Sequence, residues 1–225
     1  MKEYNVIHLD SQLIDEVADL YARVFAGPPW YEIKKCSLCN ETYGKEDDLK
    51  IFHNGISCRR CGKPLELIDY WYSGPAHQVY NNAISLKGFV GVGARHSSGE
   101  LIAFSWGYAV PEENTPTVLF KNVNGLLLQK SIDPRMTFYA AETGVDPRFQ
   151  TEGIGTEVMY ARFKAAADAG FHGICGRTIN PKLVERYERF FGKENVIPVF
   201  NDPDPVKEDR IWYYSQLQYL KELES

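Results

Sequence analysis

The sequence contains no hydrophobic run long enough to cross a membrane. Such a span needs about 20 consecutive apolar residues, whereas this chain of 225 residues mixes polar and apolar positions throughout. Its first residues, MKEYNVIHLDSQ, lack the basic stretch and apolar core of a secretion signal. These absences predict a cytoplasmic protein with no membrane association. The length allows one full hydrophobic core and leaves room for one small extra module.

The chain also lacks an excess of basic residues. Its 25 lysines and arginines are outnumbered by 30 aspartates and glutamates, which gives a net charge of −5. A nucleic-acid surface needs concentrated positive charge, so this balance argues against a nucleic-acid partner. The charge is compatible with a cationic amine substrate, although many proteins without such a substrate are equally acidic.

Cysteine is scarce, but four of the five cysteines form two Cys-x-x-Cys pairs. Cys36 and Cys39 are followed, after the eighteen residues 40–57, by Cys58 and Cys61. Four thiolates at this spacing can surround one Zn²⁺ ion tetrahedrally. Two disulfides fit poorly in a cytoplasmic chain, and a redox motif needs only one pair. The spacing therefore predicts a structural zinc site.

The segment 35–64 is short and polar, so it cannot bury enough apolar area to order itself. We expect metal coordination to order it as a zinc-ribbon-like insertion after the first helix. Gly62 follows the last cysteine, where a metal knuckle often needs a conformation that glycine tolerates. His53 lies between the pairs and is interpreted as a surface residue. A closed site of four cysteines has no open position for substrate, which indicates a role in structure or recognition.

The stretch 137–155, TFYAAETGVDPRFQTEGIG, organises the rest of the chain. It begins with a mostly apolar run that predicts a strand, which Pro147 ends. Apolar residues then recur at helical spacing and predict a helix that ends near Gly170. Gly153 and Gly155 lie between the two elements and let the backbone approach a ligand. The N–H groups of the first helical turn can hold a phosphate-like anion.

Two motifs resemble those of a known family. VDP at residues 145–147, followed by QTEGIG at residues 150–155, resembles the acetyl-coenzyme A signature of the GCN5-related N-acetyltransferases. NPKLVERYERFFG at residues 180–192 resembles the family's later segment, in which a strand ending in Asn leads to a helix carrying a Tyr. The resemblance implies an α/β domain over residues 1–225, with a central mixed β-sheet flanked by helices. The ribbon that the cysteine spacing predicts at residues 35–64 would be inserted in this domain.

The resemblance also implies how the donor, acetyl-coenzyme A, binds. The strand before the loop would splay from its neighbour, so that its backbone contacts the pantetheine arm and the thioester. The implied coenzyme A-binding residues are Thr143, Gly144, Val145, Gln150, Thr151, Glu152, Gly153, Ile154, Gly155, Thr156 and Asn180. Glu152 departs from the family, whose members more often carry a basic or neutral residue there. It would repel the pyrophosphate unless it points to solvent, and Arg148 is a candidate to compensate.

Acetyl transfer needs a base for the amine and an acid for the departing thiolate. The resemblance assigns the acid to Tyr187. The candidate base is Glu142 on the central strand, and the alternative interpretation is a salt-bridged strand glutamate. No acyl-carrying nucleophile is visible, since Cys175 is interpreted as a buried apolar residue. This pattern predicts direct attack in a ternary complex.

Two classes of function follow from these features. The first is an acetyl-coenzyme A-dependent N-acetyltransferase with a small-molecule or peptide amine as acceptor. The second is a non-catalytic module that senses coenzyme A or binds a partner through the ribbon. The segment 111–134 is expected to cover the acceptor site. Several aromatic residues either line that site or close the core, namely Trp30, Tyr70, Trp71, Tyr72, Trp106 and Tyr108.

Overall fold

The computed structural model describes residues 2–27, 32–44, 56–71, 73–111, 123–202 and 210–222. The strands there are β1 Tyr4–His8, β2 Lys34–Cys36, β3 Thr42–Tyr43, β4 Leu67–Asp69, β5 Val90–His96, β6 Leu101–Ala109, β7 Thr137–Val145, β8 Gly173–Thr178, β9 Ile197–Asn201 and β10 Ile211–Gln216. The helices are α1 Ile14–Ala26, α2 Ser73–Ile84, α3 Val123–Gln129, α4 Ile154–Asp168 and α5 Pro181–Phe191. Among the described helices, none has the length and apolar character of a membrane span.

Seven strands form one mixed sheet in the order β1-β5-β6-β7-β8-β10-β9. Neighbouring strands are antiparallel except β7 and β8, which run parallel. Parallel neighbours need a crossover connection, and α4 provides it. The predicted fold class, a central mixed sheet flanked by helices, is therefore confirmed. The strand of the predicted strand-loop-helix unit, β7, is the central one of the seven.

Strand β7 separates from β8 partway along its length. The two strands pair only where residues 137–139 face residues 173–175, whereas β7 stays paired with β6 as far as Val145. A bulge shifts the β6–β7 register between Trp106 and Gly107, and bulges bend a strand and re-aim its side chains. The second half of β7 therefore borders an opening in the sheet, as the resemblance implied.

Helices pack against the sheet in two layers. Helices α1 and α2 join Phe104 and Trp106 of β6 in one buried cluster. Helices α4 and α5 join Phe138 of β7 and Ile174 of β8 in another. Cys175 is fully buried, and burial raises the pKa of its thiol, which agrees with its interpretation as an apolar residue.

A separate three-stranded sheet, in the order β3-β2-β4, lies between α1 and α2 in the chain. The cluster of four cysteines at residues 36–61 belongs to this part, after the first helix as predicted. Strand β4 lies beyond residue 64 but pairs with β2, so the boundaries of the insertion stay a prediction. Trp30, His53, Tyr72 and the segment 112–122 lie outside the described residues.

Candidate active site and metal centre

The predicted phosphate loop forms the start of α4. Gly153 precedes the helix with a φ of 80°, a left-handed conformation that glycine adopts without a steric penalty. Within the described chain, no side chain caps this end of α4. The first N–H groups of an uncapped helix, together with the helix dipole, favour an anion. Glu152 is exposed, which lets its carboxylate remain in solvent.

Arg148 is engaged away from this loop. Its guanidinium pairs with Asp146 at 2.9 Å and also with Glu100. Arg23 adds a contact to Asp146 at 3.2 Å. These arginines, Arg148 foremost, lower the pKa of the Asp146 carboxyl to about 2. The suggestion that Arg148 compensates for Glu152 is therefore not supported, because its charge is already committed to two other carboxylates at the end of β7.

A cleft of about 590 Å³ includes the opening between β7 and β8. Both predicted catalytic residues, Glu142 and Tyr187, line it. Every predicted donor-binding residue except Glu152 lines it as well, namely Thr143, Gly144, Val145, Gln150, Thr151, Gly153, Ile154, Gly155, Thr156 and Asn180. The fold thus brings together three segments of the chain: the end of β7, the start of α4 and the first turns of α5.

Sequence reasoning missed the basic residues of this cleft, which are Arg162, Arg177, Lys182, Arg186 and Arg210. Glu142 is the only acidic residue among the described residues that line it. Such a lining suits a ligand with several phosphates. Lys182 and Arg186 could have been found from their four-residue spacing, which places them on one side of the α5 helix.

Asn180 fixes the start of α5. Its side-chain oxygen accepts a hydrogen bond from the Lys182 N–H at 3.0 Å, and its own N–H donates to Thr178 Oγ1 at 2.8 Å. Pro181 follows at the first helical position, where the missing N–H would have had no partner in the helix. The cap sets the position of the helix that carries Tyr187.

Glu142 and Thr143 point to opposite faces of the sheet, as neighbours on a strand do. The Thr143 hydroxyl accepts a hydrogen bond from Arg162 of α4 at 3.3 Å. Burial raises the pKa of Glu142 to about 7, and the nearby Glu32 adds to the rise. Glu142 forms no ion pair among the described residues, and the positive charges of Arg177, Arg210 and Arg162 oppose only part of the rise in its pKa. A carboxyl with this pKa suits general-base catalysis.

Tyr187 lies on the face of α5 that packs against α4. It is 5% exposed and meets Phe163 edge-on, with the ring centroids 5.7 Å apart. Its hydroxyl is close to β8, because a Cβ built on Gly176 would lie only 2.9 Å from that oxygen. Burial raises the pKa of the Tyr187 hydroxyl, and the positive charge of Arg162 opposes part of this rise.

The aromatic residues near α1 divide between two roles. Trp106 is 1% exposed and stacks on Phe104 with centroids 4.7 Å apart, so it closes the core. Trp71, which follows β4, packs edge-on against Tyr21 of α1 at 4.8 Å. The Trp71 indole also donates a hydrogen bond to Glu32 at 2.6 Å. Trp71 therefore connects the small sheet to α1.

The four predicted metal ligands come together. The sulfur atoms of Cys36, Cys39, Cys58 and Cys61 all lie within 4.8 Å of one another. Tetrahedral zinc with Zn–S bonds of about 2.3 Å needs sulfurs about 3.8 Å apart, and the Cys39 and Cys58 sulfurs are 3.6 Å apart. The arrangement therefore fits a closed site of four thiolates.

Each cysteine pair ends in the same kind of turn. Asn40 and Gly62 follow the second cysteine of their pairs and have φ values of 59° and 68°. Their N–H groups donate to the carbonyls of Cys36 and Cys58 at 3.0 and 2.9 Å. The Tyr43 hydroxyl donates to the Cys58 sulfur at 3.4 Å, a supporting contact of the kind found around metal-bound thiolates. The expectation that Gly62 adopts a special conformation is confirmed.

The chain is similar in fold to solved structures. It aligns with the PH1933 protein from Pyrococcus horikoshii OT3 at a TM-score of 0.53 and 14% identity, covering 98% of this chain and 100% of that one. Aminoglycoside 6'-acetyltransferase type Ii gives a TM-score of 0.51 and 13% identity, with 95% and 97% covered. A ribosomal-protein-alanine N-acetyltransferase from Escherichia coli gives 0.50 and 10%, with 99% and 97% covered.

At these identities the likeness concerns the fold. No family model matches the chain, and no curated protein matches it in sequence. The fold predicted from the two motifs, that of the GCN5-related N-acetyltransferases, is confirmed over nearly the whole chain.

Proposed function

We propose that the protein is an N-acetyltransferase that moves an acetyl group from acetyl-coenzyme A to an amine by direct attack in a ternary complex. The observation that carries this proposal is the opening between β7 and β8. It joins an anion-binding helix start to two groups suited to proton transfer, Glu142 and Tyr187. The acceptor is a small-molecule or peptide amine.

The donor would lie along the cleft. Its pyrophosphate would bind at the start of α4, from Gly153 to Thr156, with Lys182 and Arg186 adding positive charge. The pantetheine arm carries amides that can pair with an exposed strand edge. Residues 140–145 of β7 offer such an edge, since their pairing with β8 has ended within the described ladder. The thioester would then lie near the bulge in β7.

Two side chains of the cleft can accept and donate the protons that the transfer requires. Glu142 takes a proton from the ammonium form of the acceptor, and the free amine attacks the thioester carbonyl carbon. The new C–N bond forms and the C–S bond breaks, so the electron pair leaves on sulfur. Tyr187 donates its phenolic proton to that thiolate, and the proton lost by the new amide nitrogen restores the phenol through water. Glu142 finally releases its proton to solvent.

This proposal makes the activity pH-dependent through Glu142. The base acts when ionised, and burial raises its pKa to about 7. We therefore expect kcat/KM to rise with pH up to about 7 and to level off above it. Glu142→Gln should remove this rise and lower kcat/KM roughly 10²-fold, at the lower end for acid–base catalysis. A pH profile of both proteins checks the assignment, and a rise that persists in Glu142→Gln would contradict it.

Glu32 offers a control for the same prediction. Its negative charge helps to raise the pKa of Glu142, and the Trp71 indole donates to its carboxylate at 2.6 Å. Glu32→Gln keeps an acceptor for Trp71 but removes the charge. The pKa of Glu142 should fall, so the rise in kcat/KM should move to lower pH. A midpoint that does not move would exclude Glu142 as the titrating group.

Zinc is proposed as a structural ion held by Cys36, Cys39, Cys58 and Cys61, where it cross-links two turns of a segment with little core of its own. We expect one zinc per chain by elemental analysis, and Cys58→Ser should lose it. The segment 35–64 should then become protease-sensitive, while the acetyltransferase core stays folded. Cys175→Ala is the matched control and should retain zinc. Absence of stoichiometric zinc in the parent protein would contradict the site.

The direct test of the function is release of free thiol from acetyl-coenzyme A in the presence of candidate acceptors. The panel should contain polyamines, amino sugars, amino acids and peptides with free N-termini. Amine-dependent thiol release with the matching mass gain of an acetyl group supports the proposal. Binding of coenzyme A with no release for any acceptor would favour the non-catalytic alternative instead.

A further inference from the structure

A buried arginine lies under the opening in the sheet. Arg162 of α4 is 1% exposed, and the described residues offer it no carboxylate within ion-pair distance. Burial of a guanidinium without a counterion costs free energy unless hydrogen bonds and nearby dipoles compensate. A buried arginine of this kind is a stronger candidate for a functional role than a surface arginine, because its burial lowers the stability of the fold.

One nitrogen of the guanidinium holds the bulged part of the sheet. Arg162 Nη1 donates to the Trp106 carbonyl at 3.1 Å and to the Glu142 carbonyl at 3.2 Å. It also reaches the Thr143 hydroxyl at 3.3 Å, which in turn bonds to Ser105 at 2.8 Å. Trp106 and Glu142 face each other at the point where the β6–β7 register shifts. Arg162 therefore holds the backbones of both strands, β6 and β7, next to the bulge.

The other two nitrogens, Nε and Nη2, are buried and form no hydrogen bond of good geometry with the described residues, but the guanidinium lies close enough to the Tyr187 hydroxyl for a hydrogen bond between the two side chains to affect both of their pKa values. The three acceptors around Nη1 share its two N–H hydrogens, so they engage only one of the three nitrogens of the guanidinium. Arg162 also lines the cleft together with Tyr187. A structural clamp alone does not require a full positive charge with two further donors at this place.

The positive charge of Arg162 acts on the Tyr187 hydroxyl. Burial raises the pKa of the Tyr187 hydroxyl, Arg162 from α4 lowers it, and Cys175 from β8 raises it. Burial lowers the pKa of the Arg162 guanidinium, and Tyr187, together with Glu142 and Tyr139 of β7, opposes part of that fall. Arg162 is therefore the positively charged group that acts on Tyr187 among these described neighbours.

We propose that Arg162 is a positioning residue of the transfer reaction, whose fixed positive charge beside the Tyr187 hydroxyl favours donation of its proton to the departing thiolate. When the phenolic O–H bond breaks and the S–H bond forms, negative charge appears on the Tyr187 oxygen. The guanidinium stabilises that charge until the phenol is restored. This inference rests on the proposed function, in which Tyr187 is the general acid.

Two substitutions separate the charge from the clamp. Arg162→Gln keeps a hydrogen-bond donor but removes the charge, whereas Arg162→Lys keeps the charge but loses the planar fork. Thermal unfolding of both variants verifies that they fold. If one does not fold, the other still tests the idea, because the charge hypothesis makes a prediction for each.

The decisive measurement needs no catalytic activity. Tyrosines are replaced by 3-fluorotyrosine, and the ¹⁹F signal of Tyr187, assigned with Tyr187→Phe, is followed as the pH is raised. An opposite charge at close range typically shifts a pKa by about 1–3 units. The midpoint should therefore rise by about one pH unit or more in Arg162→Gln and stay near that of the parent in Arg162→Lys. Equal midpoints in Arg162→Gln and the parent, or a raised midpoint in Arg162→Lys, would overturn the proposal.

Kinetics provide the second readout. If Arg162 acts through Tyr187, Arg162→Gln should lower kcat by up to about tenfold for one pKa unit of lost acidity, since the rate follows the acidity of the general acid in part, and leave the KM for acetyl-coenzyme A unchanged. The same change in a Tyr187→Phe background should have little further effect. Equal losses in both backgrounds would assign Arg162 to the clamp alone. If no acetyl transfer is found, the ¹⁹F titration still decides whether the charge acts on Tyr187.

Discussion

Replacement of Gly155 by valine is expected to abolish binding of coenzyme A without unfolding the sheet. Gly155 lies in the first turn of α4 and lines the cleft. A Cβ built there would lie 3.0 Å from the Val145 side chain, and a β-branched residue adds two methyl groups in the same place. They would occupy the space where the pyrophosphate approaches the helix N–H groups.

We expect the dissociation constant of coenzyme A to rise at least about 100-fold, or about 2.8 kcal/mol. Isothermal calorimetry with coenzyme A checks this value. Ala167→Val is the matched control, because Ala167 is an exposed residue of the same helix. It carries the same β-branched side chain away from the cleft and should bind coenzyme A as the parent does. An unchanged dissociation constant in Gly155→Val would refute the assignment of this loop to the donor.

The central unit of the fold could be predicted from the sequence because its signals are local. A strand, a glycine-rich turn and a helix with apolar residues at helical spacing follow one another within residues 137–168, and each has its own pattern in the sequence. The cysteine pairs are similarly local, since each pair forms one turn and the turn requires the conformation seen at Gly62. Local patterns of this kind predict the structure well, because the residues that interact are neighbours in the sequence as well as in space.

Arg162 and Arg148 could not be assigned in this way. Helical spacing alone gives no sign that Arg162 faces the sheet, because a long basic side chain on a helix is ordinarily solvated. Its partners come from β6 and β7 and from Tyr187, 25 positions further on. Arg148 lies beside the phosphate loop in sequence, yet its charge is bound by Asp146 and Glu100. The roles of Arg162 and Arg148 depend on residues that are distant in sequence and close in space, which cannot be identified from a single sequence.

The bulge of β7 has a similar origin. It depends on how the β6 and β7 strands align, and their register shifts between Trp106 and Gly107. A glycine at position 107 permits the close approach, since a Cβ there would lie 2.2 Å from the Tyr139 carbonyl. The bulge lies beside Glu142, next to the opening. The position of the proposed base at the opening thus depends on a tertiary feature that the sequence pattern does not reveal.

Replacement of Tyr187 by phenylalanine is expected to slow turnover roughly 10²-fold, the lower end of the range for general-acid catalysis, because water can supply part of the proton transfer. The substitution keeps the ring that packs edge-on against Phe163 at 5.7 Å and removes only the hydroxyl. Binding of acetyl-coenzyme A should therefore change little, since the site proposed for its phosphates is a different part of the cleft. Steady-state kinetics and calorimetry measure the two quantities separately.

The competing explanation is that Tyr187 only packs in the core that α4 and α5 share. It predicts no kinetic loss beyond a change in stability, so the variant must be compared at matched melting temperature. Tyr160→Phe is a suitable control, because the Tyr160 hydroxyl lies 3.5 Å from Glu222 on the exposed side of α4. That variant should keep full turnover. If Tyr187→Phe also turns over at the parent rate, the thiolate obtains its proton elsewhere, and the Tyr187 hydroxyl has no part in the reaction.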